Sequence, residues 1–418
     1  MNIFVAIVGL AFLILIHELG HFLVALAVRM RPRRFYVFFP PPLVKRVRNG
    51  IEYGIGTIPL GGYVKIPGMH KPAAGDLESQ LRAAVEEAPW LERHLEPVRS
   101  HLAEGRLADA RTALAEVREA VERAELSEPA RKSAERALTD VDDGLSPDAY
   151  WRAPAWKRIA VIFAGPATNL LFAVALLAAV FVIGIPVGAT TTVDKVSEGS
   201  TAAAIGVRSG DVVVAVDGRR TRTFDAVRRQ IEASRGRPIT VAVRRGDERV
   251  VLGPGRARVE ERPLPNGETE RVYILGIRPE PERIERSGPV EATSLAVEQT
   301  WLVTKAIGAA VGRLVTGSGR EEVSSPVGIV QASSEALEIG ISYYLGILAL
   351  ISLSLALLNL LPLLPLDGGH IAFSILERLR GRPIPREAYE RVSAVGIALV
   401  LFLFFIGLTN DISRLSSG

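Results

Sequence analysis

Four long apolar runs constrain the fold of this 418-residue chain more than any other feature of its sequence. A helix needs about 20 predominantly apolar residues to cross a lipid bilayer. The runs cover residues 2–28, 159–187, 339–366 and 392–410. The first run could instead be a signal peptide, but no basic segment precedes it and no small-residue cleavage site follows it. The sequence therefore predicts a polytopic α-helical membrane protein with four transmembrane helices.

Charge is largely confined to the segments between these runs. Hydrophobic residues make up 48% of the chain and charged residues 23%, so the two classes must be segregated. The net charge is only +4, and many basic residues lie directly beside the apolar runs, which predicts a role in topology rather than in nucleic-acid binding. The chain has no cysteine, which excludes disulfides and thiolate metal ligands.

The short loops predict the orientation in the membrane. Arginine and lysine are frequent in residues 29–48, after the first run, and in residues 378–391, between the third and fourth runs. By the positive-inside rule both loops are cytoplasmic. We therefore expect both termini and the long segment 188–338 outside the cytoplasm.

The first run contains two histidines and a glutamate in the stretch "ILIHELGHFLVAL", residues 14–26. On a helix, His17 and His21 lie about 40° apart on one face, one turn above the other. Two imidazoles at this spacing can bind one Zn²⁺, and Glu18 can then reach water at the metal. A chance HExxH match is common on soluble helices. Because ionisable groups in hydrocarbon are costly, the membrane setting favours the metal site.

A third ligand is expected from "NLLPLLPLDGGH", residues 359–370, at the end of the third run. Asp367 lies at a membrane depth similar to that of the two histidines. The prolines before it predict a broken helix, where an extended substrate could bind; the alternative is a helix that is only kinked. His370 competes for the metal, but we expect the flexible Gly368–Gly369 pair to separate it from Asp367, leaving it behind the ligands or at the surface.

Several ordered motifs together resemble the site-2 protease family of intramembrane zinc metalloproteases, in particular the bacterial regulator-of-sigma-E type. These are HELGH in the first run and LDGG after the third, with "IPLGGYVKIPGM" (58–69), "FAGPATNLLFA" (163–173), "SSPVGIVQAS" (324–333) and "GRPI" (381–384) between and after them. The resemblance covers most of the chain except residues 72–150.

The resemblance implies a role for particular residues. Zn²⁺ would be bound by His17, His21 and Asp367, with Glu18 as the general base. The remaining candidate residues are those that would bind substrate, Asn359, Pro362, Gly61 and Gly62, and those that would support the site, Gly165, Pro166 and Asn169.

The segment before residue 71 has strand-like character. In residues 51–66, "IEYGIGTIPLGGYVKI" resembles the membrane-associated β-loop of the family. A substrate could pair with it by strand addition. The alternative is a structural hairpin that only shields the site.

The extracytoplasmic segment resembles a single bacterial PDZ domain within residues 188–283. The small-residue helix, the alternating strand Val212–Val216 and the Asp217-Gly218 turn signal support this interpretation. Such a domain could bind a trimmed substrate terminus or exclude bulky ectodomains. Residues 284–338 are predicted to contain an amphipathic helix, either interfacial or capping the PDZ domain.

Residues 72–150 are rich in Ala, Glu, Arg and Leu. Leu107, Leu114, Val117 and Val121 mark one apolar helical face, and Ser127 with Pro129 marks the start of another helix. We predict a cytoplasmic helical insert, a hairpin or three-helix bundle, that either binds a regulator or is simply solvated.

These features together predict the domain order and the function. The expected segments are 1–71 (first helix and β-loop), 72–150 (insert), 151–187 (second helix), 188–283 (PDZ), 284–338 (amphipathic) and 339–418 (last two helices). The resemblance implies a protease of the bacterial cytoplasmic membrane, with its active site near the cytoplasmic side. It would cleave single-span membrane proteins after a prior external cut. Its substrate would be an anti-sigma factor or a remnant signal peptide. An inactive membrane PDZ adaptor and a metal transporter are the competing interpretations.

Overall fold

The computed structural model describes residues 2–263, 269–281, 283–317, 319–320, 323–382 and 384–417. Two compact units divide the chain, Met1–Val174 with Glu321–Gly418, and Ala175–Arg320. The predicted GRPI motif includes residue 383, and the predicted PDZ segment includes residues 264–268 and 282, which lie outside the described residues.

The first unit begins with helices and strands in the order α1 (Asn2–Ala27), β1 (Arg34–Arg48), β2 (Ile51–Lys65), α2 (Ala74–Glu87), α3 (Glu92–Ala103), α4 (Leu107–Arg123), α5 (Glu128–Leu145) and α6 (Ala155–Ile183). Residues 175–183 of α6 belong to the second unit. Short 3₁₀ turns occur at Pro89–Leu91 and Tyr150–Arg152. The second unit continues with β3 (Ile185–Val187), β4 (Val193–Val196), α7 (Thr201–Ala204), β5 (Val212–Val216), β6 (Arg219–Arg220), α8 (Phe224–Ala233), β7 (Pro238–Arg245), β8 (Glu248–Arg256), β9 (Arg258–Pro263), β10 (Thr269–Ile274), β11 (Ile277–Pro279), β12 (Arg283–Glu285) and α9 (Pro289–Val315). The first unit then resumes with α10 (Pro326–Ile339), α11 (Ile341–Asn359), α12 (Asp367–Arg380) and α13 (Arg386–Ser417).

Among the described residues, four helices are long and apolar enough to cross a membrane. They are α1, α6, α11 and residues Glu387–Ser413 of α13. Large apolar side chains such as Phe4 and Leu171, each 70% exposed, cover their outer faces, which suits a lipid environment. The predicted four helices are therefore confirmed. The second, predicted within residues 151–187, begins at Ala155 and ends at Ile183, because Gly184 adopts φ +112° and ends the helix before β3.

The third predicted run is broken as its prolines require. Helix α11 ends at Asn359, residues 360–366 are not helical, and α12 begins at Asp367. Proline cannot donate to the helical hydrogen-bond ladder, and its ring clashes with the preceding turn. The break therefore follows directly from Pro362 and Pro365.

Strands β1 and β2 form a bent antiparallel hairpin, which confirms the strand character of residues 51–66. Residues 34–37 pair with 52–55 on one side and with 62–65 on the other, while residues 44–48 cover the far side of 51–55. The two strands thus make a small curled sheet with residues 62–65 at one edge.

The insert has four helices, α2 to α5, rather than the two or three expected. Leu114, Val117 and Val121 of the predicted apolar face are buried in its core. The Ser127 side chain caps α5 by accepting a hydrogen bond from the Ala130 amide, as its sequence indicates. The helical pattern was visible in the sequence, but the number of helices depends on the turns between them.

The ends of the insert are tied together where it joins the rest of the unit. The Tyr150 amide donates to the Pro67 carbonyl at 2.9 Å, and the Trp151 amide donates to the Gly68 carbonyl at 3.1 Å. A small core that includes Ala25, Ile66 and Val161 lies beside this neck. The chain therefore enters and leaves the insert at one point close to α1 and α6.

The second unit contains a four-stranded antiparallel sheet in the order β6-β5-β7-β8, with β4 paired to β11. Its core includes Val213, Ile239 and Val241. The predicted strand is β5 and the predicted small-residue helix is α7. Asp211 is buried, and hydrogen bonds from Arg245 lower the pKa of its carboxyl group. These elements agree with the sequence pattern, and the PDZ assignment itself stays a prediction.

Helix α9 covers the predicted amphipathic segment. It starts at Pro289 after Gly288 and ends at Val315. Val297, Trp301 and Leu302 are exposed, at 54%, 62% and 47%. This exposed apolar stripe agrees with an amphipathic helix, and the interfacial and capping interpretations both stay predictions.

Candidate metal centre

Helix α1 brings two imidazoles together inside the first unit. His17 and His21 are both buried, at 9% and 7% exposure. Their Nε2 atoms lie 3.2 Å apart. Residues four apart on a helix stack one turn above the other, so the HExxH spacing alone accounts for this convergence.

The third side chain comes from the first residue of α12. Asp367 Oδ2 lies 3.1 Å from His17 Nε2 and 3.4 Å from His21 Nε2. One possible ligand atom from each of the three residues lies within 4.8 Å of the others. The structure thus brings together the three predicted ligands, although they come from opposite ends of the chain.

Two glycines allow α12 to start where it does. A Cβ at Gly368 would overlap the carbonyl oxygens of Leu360 and Leu361. A Cβ at Gly369 would lie 2.6 Å from the carbonyl carbon of Leu363. The first turn of α12 therefore packs directly on the non-helical backbone before it, and this contact sets the position of Asp367.

The hydrogen bonds of His21 and Asp367 fit a bound cation. His21 Nδ1 lies 2.8 Å from the Val161 carbonyl oxygen, which can only accept, so Nδ1 carries the proton and Nε2 keeps its lone pair. Asp367 Oδ2 is buried, and it faces the Nε2 atoms of both imidazoles, where a shared cation would lie. Two imidazoles and a carboxylate are a common ligand set of catalytic zinc sites, which leave one position open. The side chains present therefore fit Zn²⁺.

Asn169 extends this arrangement to the second imidazole. Its buried side-chain Nδ2 lies 3.4 Å from His17 Nδ1, while its Oδ1 has no partner among the described residues. A half-turn of the amide group would let Oδ1 accept a hydrogen bond from Nδ1–H and would free His17 Nε2 for the metal. The Asn169 backbone carbonyl is held by the Ser352 hydroxyl at 2.8 Å, which ties α6 to α11.

Gly165 and Pro166 explain how closely α6 approaches the imidazoles. A Cβ at Gly165 would overlap His21 Nε2 and lie 2.8 Å from His17 Cε1. Pro166 is buried inside α6 and donates no backbone hydrogen bond. Only glycine permits this contact, so the predicted supporting residues lie against the candidate ligands.

A cavity of about 730 Å³ surrounds the site. Glu18 lines it beside the three candidate ligands. Gly62 lies so close to Glu18 that a Cβ would overlap its Cγ. The predicted residues Asn359 and Gly61 also line the cavity, whereas Pro362 is not among its lining residues.

His370 lies closer to the site than expected. It lines the cavity, and its ring stacks against Tyr389 with a centroid distance of 6.2 Å. The expectation that Gly368–Gly369 would separate His370 from Asp367 was wrong, because both glycines are helical. Residues three apart then share a helical face.

The insert contributes residues to the cavity that sequence analysis missed. Asp140 and Asp143 of α5 line it together with Lys65 and His70. Lys65 Nζ lies 2.9 Å from Asp140 and 3.1 Å from Asp143. Burial disfavours the Lys65 charge, but these two carboxylates outweigh it and raise the Lys65 pKa. No motif marks these residues, since only the folded insert places them at the cavity.

Arg33 forms a second link between the hairpin and the end of the insert. Its guanidinium contacts Asp143 and Asp148, each at 3.1 Å. Partial burial opposes ionisation of Asp148, but hydrogen bonds from Ser146 and Arg33 lower its pKa. Ion pairs of Lys65 and Arg33 with the carboxylates at the end of the insert therefore hold the insert against the hairpin.

The comparisons with known proteins agree with this geometry. The model of peptidase family M50 matches residues 5–403. A protein of Agrobacterium fabrum that is named as a zinc metalloprotease is 32% identical over 98% of this chain and 95% of its own length. Metalloprotease MmpA of Caulobacter vibrioides is 28% identical over 97% of this chain and 94% of its own. The regulator of sigma-E protease RseP of Salmonella typhimurium is 28% identical over 99% of both chains. The chain therefore belongs to peptidase family M50, the site-2 proteases, and is a membrane-embedded zinc metalloprotease with Zn²⁺ as its cofactor.

Proposed function

We propose that this enzyme cleaves single-span membrane proteins within the membrane, with Zn²⁺ held by His17, His21 and Asp367 and with Glu18 as general base. The observation that carries the proposal is the position of Glu18. It lies on the same helix as the two imidazoles and lines the cavity that Asp367 also lines. A carboxylate beside three metal-binding side chains is the arrangement that peptide hydrolysis needs.

The roles of the side chains follow from their positions. Bound Zn²⁺ supplies Lewis-acid activation of water and of the scissile carbonyl. Glu18 accepts a proton from the attacking water and returns it to the leaving amine. His21 Nδ1 stays bonded to the Val161 carbonyl, which keeps its ring in one orientation throughout the reaction.

Substrate binding is assigned to the hairpin edge and the broken segment. A transmembrane helix hides its amides in internal hydrogen bonds, so it must unwind before hydrolysis. Gly62 to Ile66 line the cavity at the edge of the curled sheet, where an extended segment could pair by strand addition. Asn359 lines the opposite part, at the end of α11, and we assign it to holding the unwound segment.

The proposed substrates are anti-sigma factor-like proteins or remnant signal peptides that a first protease has already cut outside the membrane. Similarity to a regulator of sigma-E protease supports the first class. We assign residues 188–283 to a PDZ domain outside the cytoplasm that contacts the substrate's ectodomain or its new terminus. The protein is placed in the bacterial cytoplasmic membrane, with its catalytic cavity towards the cytoplasm.

The role of Glu18 can be tested by replacing it with glutamine. Purified Glu18→Gln should keep bound zinc, because the three proposed ligands remain, and should cleave a model transmembrane substrate about a hundred- to ten-thousandfold more slowly. Glu86→Gln, a change at an exposed position of α2, is the matched control and should cleave normally. Zinc content and cleavage are measured on the same preparations. Normal cleavage by Glu18→Gln would remove Glu18 from the mechanism.

The proposed orientation can be tested with reporter fusions. A reporter within residues 72–150 should show cytoplasmic activity, and one within residues 190–280 should show extracytoplasmic activity. The reason is the excess of arginine and lysine in the two short loops. The reversed pattern would overturn both the orientation and the order of the two cuts.

A further inference from the structure

A second cavity, of about 260 Å³, opens between the first turn of α6 and the end of α12. We call it the basic pocket, because four basic side chains line it: Lys71, Arg158, Arg378 and Arg382. The proposed reaction uses none of them.

Positive charge in the basic pocket exceeds negative charge. Among the described residues that line it, Glu377 is the only acidic one, and it is paired with Arg158. Arg378 and Arg382 are exposed and form no ion pair with any residue that the structure describes. Lys71 lies over the Trp151 ring, 5.9 Å from its centroid. Three cations thus remain around one concave surface, which attracts an anion.

Two further features point to an anionic ligand. Ala153, Pro154 and Ala155 line the basic pocket, so the first turn of the 29-residue helix α6 faces it. Amides of a first helical turn lack partners within the helix and bind phosphates well. In addition, Arg158 is 92% buried, and its Nε has no hydrogen-bond partner among the described residues. A buried guanidinium N–H without an acceptor is costly.

The basic pocket lies at the level of lipid headgroups. Helix α6 is one of the four candidate spans and begins at Ala155, so its first turn marks one surface of the bilayer. Trp156 is 62% exposed, with Lys157 5.6 Å from its ring centroid. Exposed tryptophan and basic residues are typical of the membrane–water interface.

We propose that the basic pocket binds the phosphate of an anionic glycerophospholipid headgroup. Clusters of basic residues beside the end of a transmembrane helix are known to bind anionic lipid headgroups. Occupancy would give Arg158 Nε an acceptor and neutralise Arg378 and Arg382. It would also join the start of α6 to the end of α12, the helix that begins at Asp367. The inference depends on the membrane setting of α6 and not on the proposed reaction.

Lipid binding can be measured on the purified full-length enzyme in detergent. We expect phosphatidylglycerol to raise the melting temperature, and phosphatidylcholine or inorganic phosphate to raise it less. In Arg378→Ala/Arg382→Ala the affinity for phosphatidylglycerol should fall about thirtyfold, because each basic side chain near the surface contributes a several-fold gain. The charge-matched control is Arg380→Ala/Arg391→Ala, two exposed arginines outside the pocket lining, which should bind like the wild type. Native mass spectrometry of the wild type and the two double variants gives an independent readout of retained phosphatidylglycerol.

Three results would overturn the proposal. Equal effects of phosphatidylglycerol and phosphatidylcholine would show that the headgroup charge is not recognised. Equal losses in the two double variants would show general attraction to a charged surface rather than a site. A full response to inorganic phosphate alone would assign the basic pocket to a free anion instead of a lipid.

Discussion

The two segments that supply the proposed zinc ligands are built in opposite ways. Helix α1 runs without interruption through His17, Glu18 and His21, so a fixed helical repeat sets their spacing. Asp367 instead stands where the chain resumes a helix after residues 360–366. Its position depends on contacts of Gly368 and Gly369 with the preceding backbone. One half of the site is therefore determined by local geometry and the other by packing.

The largest expected effect comes from replacing Asp367, the proposed ligand whose position depends on packing. Asp367→Asn should lose most bound zinc and lower cleavage by more than about a hundredfold. Loss of a residue that only hydrogen-bonds to a metal ligand costs up to about a hundredfold in metal affinity or activity, and loss of a ligand should cost more. His370→Ala should keep both properties, because His370 lies beside the site without joining the three-residue cluster. Zinc stoichiometry and cleavage are measured for each variant. Zinc loss in His370→Ala with retention in Asp367→Asn would reverse the ligand assignment.

A smaller effect is expected from adding a single methyl group at Gly165, which lies against the two histidines of α1. Gly165→Ala places its Cβ onto the His21 ring, so the ring must shift. Displacing a catalytic group by about 1 Å can cost a hundredfold in rate, and we expect a loss up to that size at full zinc loading. Gly346→Ala on α11, where a Cβ meets nothing within 4 Å, is the control. If Gly165→Ala cleaves like Gly346→Ala, the close approach of α6 has no role in catalysis.

The smallest effect should come from removing the side-chain amide of Asn169, which lies beside His17 Nδ1. Asn169→Ala removes the acceptor for His17 Nδ1 and should weaken zinc affinity about tenfold. Asn169→Asp keeps an acceptor in place and should restore most of that affinity. Competition with a zinc chelator measures both. Similar affinities for the alanine and aspartate variants would show that the Asn169 side chain does not act as an acceptor for His17 Nδ1.

Local rules predicted the parts of the structure that are locally determined. The histidine spacing, the break at Pro362 and Pro365, and strand β5 were all predicted from the sequence. What could not be predicted depends on contacts between distant segments. The first turn of α12 can pack on the backbone before it only because Gly368 and Gly369 have no Cβ. Asp140 and Asp143 reach the cavity only through the fold of the insert, which no motif describes.

The position of Asp367 also has a consequence for the order of synthesis. The ribosome makes α1 first, then the hairpin and the insert, whose neck can close once Tyr150 and Trp151 have emerged. Asp367 follows only after the whole second unit has been made. Two imidazoles alone leave a zinc ion one protein ligand short of a catalytic set. The nascent chain therefore cannot assemble its proposed hydrolytic centre until almost all of it has been synthesised.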